Sequence, residues 1–459
     1  MGLMDCRGVP VSTNDRASLD GFERALKLLN GYFADPLATI DGVLARDPDF
    51  VLGHCFRAAL MAMSTERAAV SELRCSLEAA EERTGAANGR ELGHIAALRA
   101  WLDGDFQRTA DLYGRLLIEY PRDLFALQIV HQCDFFLGQS MMLRDRIARV
   151  LPYWSKDIPG YGYVLGMYAF GLEEMNDYRR AEDTGCRALE IERRDPWAVH
   201  AVAHVMEMEG RVADGIAFMM QRRQDWAPDN MFAYHNSWHL ALYHLDLGQS
   251  DRVLELYDSA IRPQPSNVAL ELIDASSMLW RLYLREIDVG PRWAEIAESW
   301  APAIEDAHYA FNDAHTTMAF VGAGRLDDAE RVIEALTKRA GGRGTNAMMT
   351  RDVGLPLCRG LKAFGEARYG EAVELLLPLR PIAARFGGSH AQRDVIGLTV
   401  VEAAIRAGQA KLARALAAER TALKPSSPFN WHLAARAMTA AGESDAAAQA
   451  RKKARVLVA

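Results

Sequence analysis

Two His-x-x-x-His pairs stand close together in this chain, His200-Ala-Val-Ala-His204 and His235-Asn-Ser-Trp-His239. With His244 they place five of the twelve histidines within one short stretch. On a helix, residues four apart lie one above the other on the same face. Each pair is then a two-imidazole edge, with Glu207 about one turn further along the first. Neutral imidazole is a ligand for zinc, nickel, copper or iron. Two facing helices can set four such rings around one divalent ion. Carboxylates at Glu207 or Asp274 can ligate or hold the rings' N–H groups. Residue 201 is Ala, so the pattern is not the His-Glu-x-x-His of zincin proteases. The competing reading is a set of hydrogen-bonded histidines lining a wet groove.

Other segments could also carry chemistry. In Phe311-Asn312-Asp313-Ala-His315, the histidine could be a further ligand or a general base of near-neutral pKa. Asn312 could meet a substrate; the alternative is a helix-start Asn/Asp pair and a core histidine. Arg351-Asp352 and Gln392-Arg393-Asp394 each join Arg to Asp. Arginine can grip a carboxylate or phosphate with two parallel N–H bonds, or make an interhelical ion pair. Arg393 is the better substrate anchor, because Gly387-Gly388 precede a helix start whose free N–H groups suit an anion. Tyr161, Tyr163, Tyr168 and Phe170 could wall a pocket, although aromatic residues at helical spacing more often pack a core. Phosphate-loop, dinucleotide and Gly-x-Ser-x-Gly motifs are missing. Cys358 has no histidine near it in sequence.

These residues must be positioned by helices. Turn signals recur at roughly 34 to 40 residues, the range of tetratricopeptide (TPR) arrays. Glu-Gly210-Arg, Leu-Gly248-Gln, Ala-Gly324-Arg and Ala-Gly408-Gln each close one helix and open the next, as do Asp103-Gly-Asp and Leu137-Gly-Gln. Second helices run into Asp-Pro-like stops, as at Ala45-Arg-Asp-Pro and Ile191-Glu-Arg-Arg-Asp-Pro. Strand-like alternation is nearly missing. The expectation is an all-α, right-handed TPR-like solenoid of about twelve helix pairs. Residues 1–17 would be an N-terminal extension and residues 18–459 one continuous domain. In such arrays the first helix of each pair lines a concave surface. His200, His204, His235 and His239 fall on first helices, at repeat places that face the groove in TPR proteins. His131, Asp274 and His315 also fall on first helices.

The 459 residues are half apolar and a quarter charged, a globular composition. The net charge of −8 argues against a nucleic-acid footprint, which is basic and clustered. Six scattered cysteines without a Cys-x-x-Cys suggest reduced, mostly buried thiols and a cytoplasmic protein. The start lacks a signal-peptide layout, and no apolar run reaches membrane-spanning length.

Many of these segments, in order, resemble the tetratricopeptide-repeat protein 38 family and its bacterial relatives along essentially the whole chain. They include Asp134-Phe-Phe-Leu-Gly, Tyr168-Ala-Phe-Gly-Leu, Val199-His-Ala-Val-Ala-His204, His235-Asn-Ser-Trp-His239, Ser277-Met-Leu-Trp-Arg-Leu, Phe311-Asn-Asp-Ala-His315, Arg351-Asp-Val-Gly-Leu-Pro-Leu-Cys358 and Gly387-Gly-Ser-His-Ala-Gln392-Arg. His244 and His390 depart from the family pattern. The resemblance implies an all-helical TPR-like fold and no particular reaction.

Two functions follow as expectations. The first is a small-molecule-binding protein, of the metal-dependent hydrolase type. His200, His204, His235 and His239 would hold a divalent metal, and Glu207 and His315 would move protons. Asp274, Asn312, Gln392 and Arg393 would meet substrate. The second is a non-catalytic scaffold that holds a peptide or protein partner in its concave groove.

Overall fold

The computed structural model describes residues 2–458. The chain is all-α. Among the described residues there is no strand, only isolated bridges between Met4 and Pro10 and between Phe33 and Asn230. The first helix, Arg16–Gly31, is capped by Asp15.

The turn glycines act as the spacing predicts. Gly210 and Gly248 have φ of 71° and 74°, a region that an L side chain enters only with strain. Around Gly210 the helix closes with Gly210 N–H donating to Glu207 C=O (3.0 Å) and Arg211 N–H to Met206 C=O (2.8 Å). This is the Schellman pattern, which satisfies the last carbonyls of a helix. The same pair of bonds recurs after Leu245, Val321 and Ile405. The proline stops also hold: Tyr178–Ile191 ends before Pro196, and Ala410–Leu423 before Pro425.

Bonds between neighbouring repeats span one repeat length. Trp238 Nε1 donates to Ser277 Oγ, 39 residues on. The Tyr243 hydroxyl donates to Ala203 C=O, 40 residues back, and Arg90 meets Asp123, 33 residues on. A helical chain whose contacts recur at offsets of one repeat length is a TPR-like helical repeat. Second helices are amphipathic. Leu326–Ala340 buries Ala329, Val332, Ile333 and Leu336 along one stripe, and each large aliphatic side chain contributes about 1.5–3 kcal/mol.

Two compact units emerge from the packing. One runs to Val202 and adds Arg223–Ala233 and Arg343–Asn346. The N-terminal segment is part of its core, because Asp5 and Arg7 are buried and Asp5 reaches Arg90 at 3.3 Å. The other consists of Ala203–Arg222, Tyr234–Gly342 and the chain from Ala347 onward. The boundary falls inside the continuous Pro196–Met208 helix. Single π-helical turns at Tyr257–Ile261 and Thr350–Gly354 interrupt the regular pattern.

Candidate metal centre

Three histidines meet inside the second unit. His204 comes from the Pro196–Met208 helix, and His235 and His239 from Ala233–Asp246. The ring centroids of His204 and His239 are 4.3 Å apart, and those of His235 and His239 4.9 Å. All three are buried. His200 lies one turn before His204 on the same continuous helix and is 1% exposed. His204, His235 and His239 each offer a ring nitrogen, and these nitrogens lie within 4.8 Å of one another. The helical spacing of each pair made this grouping legible, because two i,i+4 edges need only face each other.

Carboxylates fix two of the rings. His235 Nδ1 lies 2.6 Å from Asp274 Oδ2, and His239 Nδ1 lies 3.0 Å from Glu207 Oε2. A carboxylate only accepts, so Nδ1 of each ring donates, which leaves Nε2 as the nitrogen that faces away from the carboxylate. Metal-bound histidines are held this way, with the outer nitrogen donating to a carboxylate. Burial holds the pKa of His239 well below the ordinary value, and His204, His235, Arg281 and Lys424 lower it further. The ring is therefore neutral at pH 7, the form that ligates a metal. Trp238 stacks on His235 at 5.6 Å and anchors its own indole N–H on Ser277. The donor set fits a borderline divalent ion such as zinc.

The remaining candidates take several positions. Asp274 and Glu207 support the rings, as above. His315 is buried on Ala310–Gly322, with Nδ1 donating to Phe311 C=O at 2.8 Å and Nε2 without a hydrogen-bond partner. Burial pushes its pKa down to about 4. This differs from the near-neutral value expected of it, because the ring has no carboxylate to offset desolvation. Asn312 is buried on the same helix. Gln392 completes a capping box, its Oε1 accepting the Ser389 N–H at 3.0 Å. Arg393 donates to Gly388 C=O, and its neighbour Asp394 forms a two-pronged pair with Arg420 at 2.7 and 3.0 Å. Arg351 is exposed and Asp352 pairs with Arg385 at 3.0 Å.

In the first unit, His131 accepts the Trp197 indole N–H at 3.2 Å. Phe170 packs 4.9 Å from Trp197 and 5.2 Å from His200, while Tyr168 reaches outward to Arg180. The aromatic set is thus core and surface in turn. Cys55, Cys133 and Cys358 are buried. Burial raises the Cys358 thiol to about 12, which leaves it protonated.

Sequence reasoning missed Arg281, Arg285 and Lys424. Glu207 Oε1 lies 3.5 Å from Lys424 Nζ. With Arg281, Arg285 and Arg420, these two residues line a cavity of about 60 Å³. A signal was present: Arg281 interrupts the apolar run Met278-Leu-Trp-Arg-Leu282, and a charge inside a buried helix face requires a reason.

No family model matches the chain. Among solved structures, it resembles the human IFIT1 dimer with m7Gppp-AAAA at 14% identity, covering 98% of this chain and 96% of that one, with a TM-score of 0.43. It resembles the Cut9–Hcn1 hetero-tetramer of the APC/C at 12%, covering 97% and 96%, with a TM-score of 0.36. Yeast Tom70 stands at 12%, covering 96% and 97%, with a TM-score of 0.34. No helix among the described residues is long and apolar enough to cross a membrane.

Proposed function

We propose that the protein binds a divalent metal through His204, His235 and His239 and acts on a small molecule as a metal-dependent hydrolase. The carrying observation is the pair of carboxylate-held rings, His235 on Asp274 and His239 on Glu207. A histidine that only lines a groove has no need of a carboxylate behind it. A bound ion would acidify a water and polarise an electrophile. Glu207 is placed to hold and pass a proton, since it already holds the His239 N–H. His315 offers a neutral, proton-accepting Nε2, and Asn312 lies on the same helix as a polar substrate contact. Gln392 and Arg393 would approach substrate only by leaving their present bonds.

A peptide scaffold needs its recognition residues in solvent, and burial of these histidines favours the small-molecule reading over that alternative. The ordered motifs support kinship with the tetratricopeptide-repeat protein 38 family. The buried thiols of Cys55, Cys133 and Cys358 support a cytoplasmic setting. Elemental analysis of protein purified without an affinity tag tests the reading. We expect close to one divalent ion per chain, lost in a His204→Ala, His239→Ala double variant. Failure to take up zinc, nickel, cobalt or ferrous ion when each is supplied would overturn it.

A further inference from the structure

The cavity beside Glu207 holds more positive than negative charge. Lys424 pairs with Glu207 and Arg420 pairs with Asp394. Arg281 and Arg285 have no carboxylate within ion-pair distance among the described residues. The remaining acid lining the cavity, Asp246, accepts the Ser427 hydroxyl at 2.5 Å, and burial raises its pKa. Arg281 and Arg285 stand one turn apart on Ala269–Leu284 and its C-cap. Arg281 is 3% exposed.

These two arginines keep unused donors. Of its five N–H groups, Arg281 commits two, to Ser277 C=O at 3.1 Å and Ala391 C=O at 2.6 Å. Arg285 commits one, to Leu245 C=O at 2.5 Å, and lies 3.5 Å over the Phe429 ring. Burial lowers Arg281 to about 10 and Arg285 to about 9, and both stay charged at neutral pH. A buried guanidinium with no carboxylate in ion-pair contact is costly, and a planar fork is suited to oxyanions. The 60 Å³ cavity has room for about four waters, comparable to one small oxyanion. Asp246, Arg285 and Phe429 also wall a larger cavity of about 340 Å³, where the rest of a ligand could lie.

We propose that Arg281, Arg285 and Lys424 form a binding site for a small oxyanion, the carboxylate or phosphoryl group of a small-molecule ligand. Glu207 is the link to the histidines, since it lines this cavity and holds His239. A role as substrate anchor rests on the metal reading; binding of the anion does not.

The test uses the full chain, with inorganic phosphate and acetate as probes. Ionic strength is held constant with chloride. Calorimetric titration and thermal melting are run before and after chelation, with metal content measured on the same samples. We expect saturable binding of at least one probe, persisting after chelation, and a melting temperature that rises with it. Preference for phosphate assigns a phosphoryl ligand, and preference for acetate a carboxylate. Arg285→Lys keeps the charge on a half-buried residue and loses the fork, so affinity should fall about tenfold while melting without anion stays near the parent. Arg281→Lys should do the same if it folds. No saturable binding of either probe, or equal affinity in Arg285→Lys, would overturn the site and leave the metal result standing. Absence of metal with intact anion binding would overturn only the metal reading.

Discussion

His239 and Glu207 lie 32 residues apart on two helices, yet Nδ1 of one lies 3.0 Å from Oε2 of the other. That bond fixes the tautomer of a fully buried ring and leaves its Nε2 as the atom that a metal would take. It also ties the histidine cluster to the cationic cavity, because the other oxygen of Glu207 faces Lys424 at 3.5 Å.

Glu207→Gln should therefore weaken metal binding without removing a ligand. Loss of such an outer partner costs about 10–100-fold in affinity. Competition against a chromophoric chelator measures it, with Asp274→Asn as the matching change behind His235. Wild-type affinity in both variants would mean that the carboxylates do not orient ligands.

Metal removal should lower stability by mass action. At free metal about 1,000-fold above Kd, binding contributes about 4 kcal/mol. Chelation should lower the melting temperature, and the His204→Ala, His239→Ala variant should melt identically with and without chelator. Equal curves for the parent, on protein shown to have lost its metal, would count against the site.

Asp313 should make stability fall as pH rises. Its Oδ2 is buried without a hydrogen-bond partner. Burial, with help from Asp306, raises its pKa to about 8, against a partial offset from Arg339. The unfolded carboxyl titrates near 3.9. Between those values the folded protein keeps a proton that the unfolded chain loses, so stability declines with pH across that window. Asp313→Asn removes the titration. Its melting temperature relative to the parent should rise steadily from pH 4 to pH 8. A difference independent of pH would show that Asp313 is ionised in the folded protein.

Arg90 should be among the most sensitive positions of the first unit. It is fully buried and donates to both oxygens of Asp123 at 2.7 and 2.9 Å, and reaches Asp5 at 3.3 Å. His94 Nε2 adds a contact to Asp123 at 2.9 Å. Burial alone would raise Asp123, but Arg90 and His94 outweigh it and hold the carboxyl far below its usual range. Its stabilisation is present above about pH 4 and is lost progressively below that. Removing one member of a buried ionic network costs about 3–5 kcal/mol. Urea unfolding of Arg90→Met should show a loss of that size, and a change below 1 kcal/mol would refute it.

The glycine turns, proline stops and helix class were legible from residue types alone, because they are local. A glycine at φ near 70° closes a helix whatever surrounds it. The grouping of histidines was legible for the same reason, since i,i+4 spacing fixes a common face. Tertiary structure decided the rest. Asp274 and Gln392 look alike as polar candidates in the sequence, but packing sends one to His235 and keeps the other in a helix cap. Likewise Arg393 stood out because it follows a glycine pair, while Arg281 was one charge in an apolar run. Which arginine keeps free donors in a cavity depends on where Ala391, Asp394 and Arg420 lie in space. That follows from the packing of helices more than a hundred residues apart, and no local spacing encodes it.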